Sequence, residues 1–359
     1  MASELLQSRL VFIDTSIYQK GNFQFQGREL EALTNFLEDD DLTLLLSTVT
    51  IGEIEKHIKV KVREAVSQIQ SFQAKAMILR NVKKFNKSTV FKMPNSGDIE
   101  TELLNNFSDF KSARNVEVFS IEKASAEKVF DRYFSGRPPF SIEKNKEFAD
   151  AFVLESLLVI SHERLEPVYV ISLDDDMKAY CAETSSLIHL GDLGEFLDLA
   201  SHTILGAPAR AAEESYQHLK AGLLDQAKEY LNELEFEVLL GDDYSVINSV
   251  KFEIKNVIAK NEQIYYVEDG YAGAGVDFEF EVWATVEVTE HLHPASKSVA
   301  RDSNVVEVVT YMKGYKKVLE VGLSIEFNEI DPSEANVGDL DLEMPGNLTL
   351  DKPFFSEVV

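Results

Sequence analysis

Four acidic residues stand where an α/β chain gathers its chemistry. Asp14 ends an apolar run, LVFID, that reads as a short buried strand, and Asp174 follows PVYVIS, residues 167–172, a second such run. Open parallel sheets build their sites beyond the carboxyl ends of their strands, so both acids fall on that edge. Glu53 opens the helix expected after a strand at 42–47, and Asp150 lies in FADAFVLESLLVI, an otherwise apolar helix that would have to bury it. Asp176, two residues past Asp174, can join the group. Carboxylates gathered in one pocket repel one another and need a cation. All-oxygen ligands select Mg²⁺ or Mn²⁺, ions that activate a water and stabilise the leaving oxygen of a phosphodiester. Taken singly, each acid has a simpler reading. An Asp after a strand commonly serves as a turn or N-cap residue, and Asp174-Asp175-Asp176 suits a helix N-terminus. Asp14 resists that reading, because Thr15 and Ser16 can cap without placing a charge beside a buried strand.

The elements that must position these acids alternate. Strands are expected at 10–14, 42–47, 116–120, 167–172 and 186–190. Helices are expected at about 27–38, over 50–85 as one long helix or a helical pair, at 122–133, at 145–162, and from the acidic run at 174–176; residues 15–26 read as loop. Strands apolar through their length imply a mainly parallel sheet covered on both faces, an α/β arrangement. Beyond about residue 205 the period changes. Residues 209–235 keep helical spacing, whereas from 249 onward apolar residues alternate with polar ones: Val250, Phe252 and Ile254, then Phe278, Phe280, Val282, Ala284 and Val286. That is the pattern of antiparallel strands over one core. The expected division is 1–204, with a helical insertion at about 56–110, and 205–359, an α+β domain whose tail after about 330 is only partly ordered.

The chain has 359 residues, enough for two domains, and a net charge of −27. The charge is uneven: residues 201–359 hold 12 Lys and Arg against 30 Asp and Glu, and so carry −18 of it. Residues 56–92 run the other way, with Lys56, Lys59, Lys61, Arg63, Lys75, Arg80, Lys83, Lys84, Lys87 and Lys92 against the single acid Glu64. One basic belt sits in an acidic protein. No apolar run approaches the ~18 to 20 residues of a membrane helix, and the N-terminus lacks the layout of a secretory leader, so a cytoplasmic protein without a membrane partner is expected. Cys181 is the lone cysteine and is given no role. His291-Leu292-His293 lacks the further ligands of a zinc site, and GYAGAG at 270–275 reads as a hairpin turn rather than a phosphate loop. His57, four residues after Glu53, reads as a solvated helix residue. Lys146 and Arg137 read equally as phosphate contacts or as surface charges.

The ordered set VFIDTS, STVTIGEIEKH, KNKEFADAF and VISLDDD resembles the PIN domain. The SGRPPF loop with the following K-x-x-E-F-x-D-A, residues 135–151, resembles a bacterial PIN subgroup with an additional C-terminal domain. The resemblance covers about residues 1–200; the insertion at 56–110 departs from the smallest toxin-type members. It implies a PIN-like three-layer domain and a metal-dependent endoribonuclease with a toxin-like or anti-phage role. Asp14, Glu53, Asp150 and Asp174 would then be the catalytic set. Asp14, Asp150, Asp174 and Asp176 would hold Mg²⁺ or Mn²⁺, Glu53 would ligate or orient the attacking water, and Ser172 and Thr15 would flank the acids. Lys83, Lys84, Lys87, Arg137 and Lys146 are the expected nucleic-acid contacts. RNA is the favoured substrate; single-stranded DNA is the enzymatic alternative, since nothing in the sequence marks a reader of the 2′-hydroxyl. A non-cleaving binding or regulatory module is the reading of another class, and four intact acids argue against it. The acidic second domain is expected to meet a protein partner or its own copy, because it repels phosphates.

Overall fold

The computed structural model describes residues 5–82, 91–92, 94–141, 146–234, 236–238, 246–268, 270–291, 306–328, 331–342, 348–350 and 352–358. The chain divides into two compact units, Met1–Ile204 and Leu205–Val359.

In the first unit five strands pair in parallel, β1 (Leu10–Ile13), β2 (Thr43–Ser47), β3 (Val116–Phe119), β4 (Val168–Ile171) and β5 (Leu187–Leu190), in the order β3-β2-β1-β4-β5. Alternate strand residues point to opposite faces. Leu10, Phe12, Leu45, Val168 and Val170 are buried on one face with Val153, Leu154 and Leu157 of α6 (Phe148–Arg164) and Met177, Tyr180 and Cys181 of α7 (Asp175–Cys181). On the other face the Tyr169 ring meets Phe196 of α8 (Leu193–Ile204) at 5.1 Å between centroids, and α8 packs on α2 (Arg28–Glu38). The result is three layers around a sheet buried on both sides, as the continuous apolar strands require. Burial pushes the Cys181 thiol up to about 12, so it behaves as a small hydrophobe.

Several boundaries move. Residues 15–20, expected as loop, form a short helix α1 (Thr15–Lys20), because Asp14 caps it. The 50–85 helix is α3 (Thr48–Lys75) followed by a 3-10 turn, Met77–Asn81. It packs against α4 (Ser96–Lys111), so the insertion is a helical pair. The 122–133 helix begins as a 3-10 turn and becomes α5 (Ala126–Ser135), capped by Ser125 and ended by Gly136 in the left-handed conformation. Among the described residues no helix is long and apolar enough to cross a membrane.

The second unit lays α9 (Ala207–Glu233) across three long antiparallel strands, β7 (Val246–Glu268), β8 (Tyr271–His291) and β9 (Val306–Glu326). The period-two residues Phe278, Phe280, Val282, Ala284 and Val286 are all buried beneath it. Of GYAGAG only Gly270 makes the turn, with a φ of +83° that favours glycine; the other residues begin β8. After residue 330 the described residues include three short strands. They find partners: β10 (Asn336–Leu342) and β12 (Phe355–Val358) pair with β9, and β11 (Leu348–Leu350) pairs in parallel with β6 (Phe236–Val238). Leu292 and His293 lie outside the described residues.

Candidate active site

In the order β3-β2-β1-β4-β5 the chain leaves β1 toward β2 on one side and reaches β4 on the other, so the switch in direction falls between β1 and β4. Asp14 stands there. Its backbone N–H donates to Ile171 O at 2.9 Å, carrying the β1–β4 pairing up to the acid. The side chain is 8 % exposed, and its charge is met by oriented donors. Asp14 Oδ2 accepts from Ser16 N at 3.1 Å, from Ser16 Oγ, and from Ser172 Oγ at 3.1 Å. Ser16 Oγ in turn accepts from Leu173 N at 3.1 Å, which fastens the first turn of α1 to the loop after β4.

Glu53 lies in the second turn of α3 rather than opening it. Ser47 is the cap, its hydroxyl accepting from Thr50 N at 2.8 Å. The half-buried Glu53 side chain accepts from Thr15 Oγ1 at 2.8 Å through Oε2, so the residue after Asp14 holds the acid of another element. Asp150 occupies the first turn of α6. Its carboxyl is pushed up to about 8, first by burial, then by a hydrogen bond with Glu147, then by the negative charges of Asp14, Glu53 and Glu147. A group that remains neutral while three carboxylates press on it reports a concentrated negative field.

These relations bring together Asp14, Glu53 and Asp150, contributed by β1, α3 and α6, and add Glu147, which the sequence reading passed over. Its signal was present: Glu147 precedes Asp150 by three residues, and such residues share a helix face. Tyr18, four residues after Asp14, was also passed over. It is fully buried, its hydroxyl has no hydrogen-bond partner among the described residues, and burial followed by the Asp14 charge raises its pKa.

Asp174 is placed differently. It caps α7 by accepting from Asp176 N at 2.8 Å, and its own N–H donates to Ser172 Oγ at 3.0 Å. Ser172 therefore links Asp174 to Asp14, but Asp174 is not among the charges that raise Asp150. Asp176 is half-buried in the first turn of α7. Arg137 is exposed just past α5, its Nε donating to Ser135 Oγ at 3.3 Å, and Lys146 is exposed just before α6. His57 is half-buried on α3. Lys83, Lys84 and Lys87 lie outside the described residues.

Among the described residues no group of three or more His, Cys, Asp or Glu side chains is arranged to hold a metal ion. Hydrogen bonds engage three of the acids: serines hold Asp14, a cap interaction holds Asp174, and a carboxyl–carboxyl hydrogen bond holds Asp150. In chemistry the cluster suits a hard cation, since its donors are carboxylate oxygens and, beyond burial and the Glu147 hydrogen bond, the negative charges of Asp14 and Glu53 press on Asp150.

Residues 11–177 match the family model described as the PIN domain. No curated protein and no solved structure is similar enough to the chain to count as a match. The matched span opens within β1, closes within α7 and takes in Asp14, Glu53, Asp150, Asp174 and Asp176. Residues 11–177 are a PIN domain, and at the level of that family the match supports a nuclease-type hydrolase.

Proposed function

We propose that this chain is a Mg²⁺- or Mn²⁺-dependent endoribonuclease whose site is built on Asp14, Glu53, Asp150 and Asp174. The observation that carries the reading is the convergence of Asp14, Glu53 and Asp150 from three separate elements, where burial, then the hydrogen bond with Glu147, then the charges of Asp14 and Glu53 push the Asp150 carboxyl up to about 8. Asp14 and Asp150 would be the principal ligands, with Asp174 beside them and Asp176 the further acid. The cation would supply Lewis-acid polarisation of a phosphoryl oxygen and an acidified water.

The chain's own residues prepare that site. Ser16 and Ser172 fix Asp14 through Oδ2, leaving Oδ1 as the ligand oxygen. Thr15 holds one oxygen of Glu53, leaving the other to orient the attacking water and take its proton. Asp150, whose proton is held by burial and the hydrogen bond with Glu147, would release it to solvent on meeting the cation's charge and so become a ligand. Lys56, Lys61 and Arg63 lie exposed on α3, ten residues or fewer beyond Glu53, and would track the phosphates by charge without reading sequence.

A non-cleaving binding module is the second reading, favoured by the capping roles of Asp174 and Asp176. Incubating the purified protein with labelled RNA and single-stranded DNA, with and without Mn²⁺, separates the readings. Mn²⁺-dependent cleavage of RNA, lost in Asp14→Asn and in Asp150→Asn, supports the ribonuclease. Cleavage of DNA alone changes the substrate, and cleavage of neither leaves the binding module.

A further inference from the structure

A ridge of aromatic rings on α5 faces solvent. Phe134 is 79 % exposed and Phe130, one turn earlier on the same helix, is 45 % exposed. Their rings stack at 6.1 Å between centroids with 29° between planes. Phe130 also lies 5.5 Å from Phe148, the first residue of α6, and Tyr133 joins Phe134 to Phe140 and Phe148. A soluble protein gains nothing from two phenyl faces in water, and folding does not need them there, because the base of the ridge is already closed. Val129, Phe140 and Ala151 are buried together, and the Lys128 ammonium lies 2.8 Å from the carboxylate of Glu155, a buried residue of α6. The ridge is therefore a rigid platform with its outer rings uncovered.

Its setting favours one occupant. Phe148 stands two residues before Asp150, so the platform is built onto the same helical turn as the acid cluster. Exposed cations flank it in sequence: Arg137 three residues after Phe134, and Lys146 two before Phe148. Although Glu127 and Asp131 are also exposed on α5, uncovered aromatic faces with cations near by in sequence match an unpaired nucleic-acid strand, whose bases have π-faces and whose phosphates are negative. A duplex offers no free base face. Resting on the nuclease reading, we propose that Phe130 and Phe134 form a stacking platform for bases of single-stranded substrate next to the scissile phosphate, with Arg137 and Lys146 contacting the adjoining phosphates.

The test uses the full chain carrying Asp14→Asn, so that bound strands stay intact, and fluorescein-labelled oligonucleotides of about ten nucleotides in three forms: single-stranded, abasic with the same phosphates, and duplex. Anisotropy should show that Phe134→Ala weakens binding of the single strand by roughly five- to hundred-fold, the range for loss of one stacked base. Affinity for the abasic strand should hold within about two-fold. Phe134→Tyr should restore the single-strand affinity and Phe134→Leu should not, since leucine is as apolar but has no π-face. Arg137→Ala should reduce the salt slope, which Phe134→Ala leaves alone. Equal losses on the abasic strand, rescue by leucine, absence of single-strand binding, or dissociation of a self-associated form by Phe134→Ala would each overturn the platform. Cleavage by the otherwise unaltered chain separates this inference from the reading it rests on. Cleavage that Phe134→Ala leaves unchanged in KM removes the platform and keeps the nuclease; base-dependent binding without any cleavage keeps the platform and removes the nuclease.

Discussion

At the scale of single residues, Asp150 carries the clearest pH signature. An ordinary aspartate titrates near 4, whereas this one is pushed up to about 8 by burial, Glu147, and the charges of Asp14 and Glu53. Between those values the folded chain keeps a proton that the unfolded chain has lost. The stability it contributes is therefore fully present below about pH 4 and is lost as pH rises through about 8. Melting temperatures measured in chelator should fall steadily from pH 5 to pH 8.5, with a slope bounded by about 1.4 kcal/mol per pH unit for one proton. Asp150→Asn should flatten that slope and melt higher than the parent at pH 8, while abolishing cleavage. Mn²⁺ should raise the parent's melting temperature and do so much less for the variant, because only the folded site binds it. A parent indifferent to pH over this range would sink the clustered-acid account. Thr15→Val keeps shape and removes the hydroxyl that holds Glu53. It should cost about 1 kcal/mol of stability and lower kcat more than it raises KM.

At the scale of elements, α3 performs two tasks. Its start is set by Ser47, whose buried hydroxyl accepts from Thr50 N at 2.8 Å, and Glu53 rides in the second turn. Ser47→Ala should cost about 1 to 2 kcal/mol in urea denaturation, and cleavage should fall with it because the turn that orients Glu53 frays. The exposed side of the helix carries Lys56, Lys61 and Arg63. Reversing these three charges to Glu should leave folding intact, weaken binding, and reduce the slope of log affinity against log salt by roughly 0.7 to 0.9 for each phosphate no longer neutralised. An unchanged slope would mean that these side chains only solubilise the helix.

At the scale of the molecule, the two compact units differ in charge as well as in grammar. The second carries most of the net negative charge, and we propose that it associates with a protein partner or a second copy rather than with phosphates. Limited proteolysis should cut near 200–210, where Gly206, with a φ of +63°, separates α8 from α9. Ultraviolet crosslinking of labelled RNA to the whole chain should map to peptides of residues 1–204. Crosslinks concentrated in 205–359 would reverse the division of labour.

The sequence by itself determined the five strands of the first unit, most of the helices between them, and the buried face of the long strand β8. A five-strand parallel sheet follows from apolar runs such as LVFI and VYVI, and the β8 alternation from Phe278 to Val286 names its own buried side. It also determined which acids to watch, since Asp14 and Asp174 flank the strands that meet at the switch point. Tertiary structure decided what periodicity cannot carry. In β7 the inward set passes from Val250, Phe252 and Ile254 to Val257 and Ala259, because Asn256 bulges the strand at a φ of +52°, a feature that only pairing with β8 defines. Segments after residue 330 find strand partners because β9 and β6 offer open edges, which short polar sequences do not announce. Among the acids, Thr15 reaching Glu53 and Ser172 reaching Asp14 join residues 38 and 158 positions apart. Spacing along the chain determines which residues share a strand or a helix face; which carboxylates share a field depends on how separate elements pack.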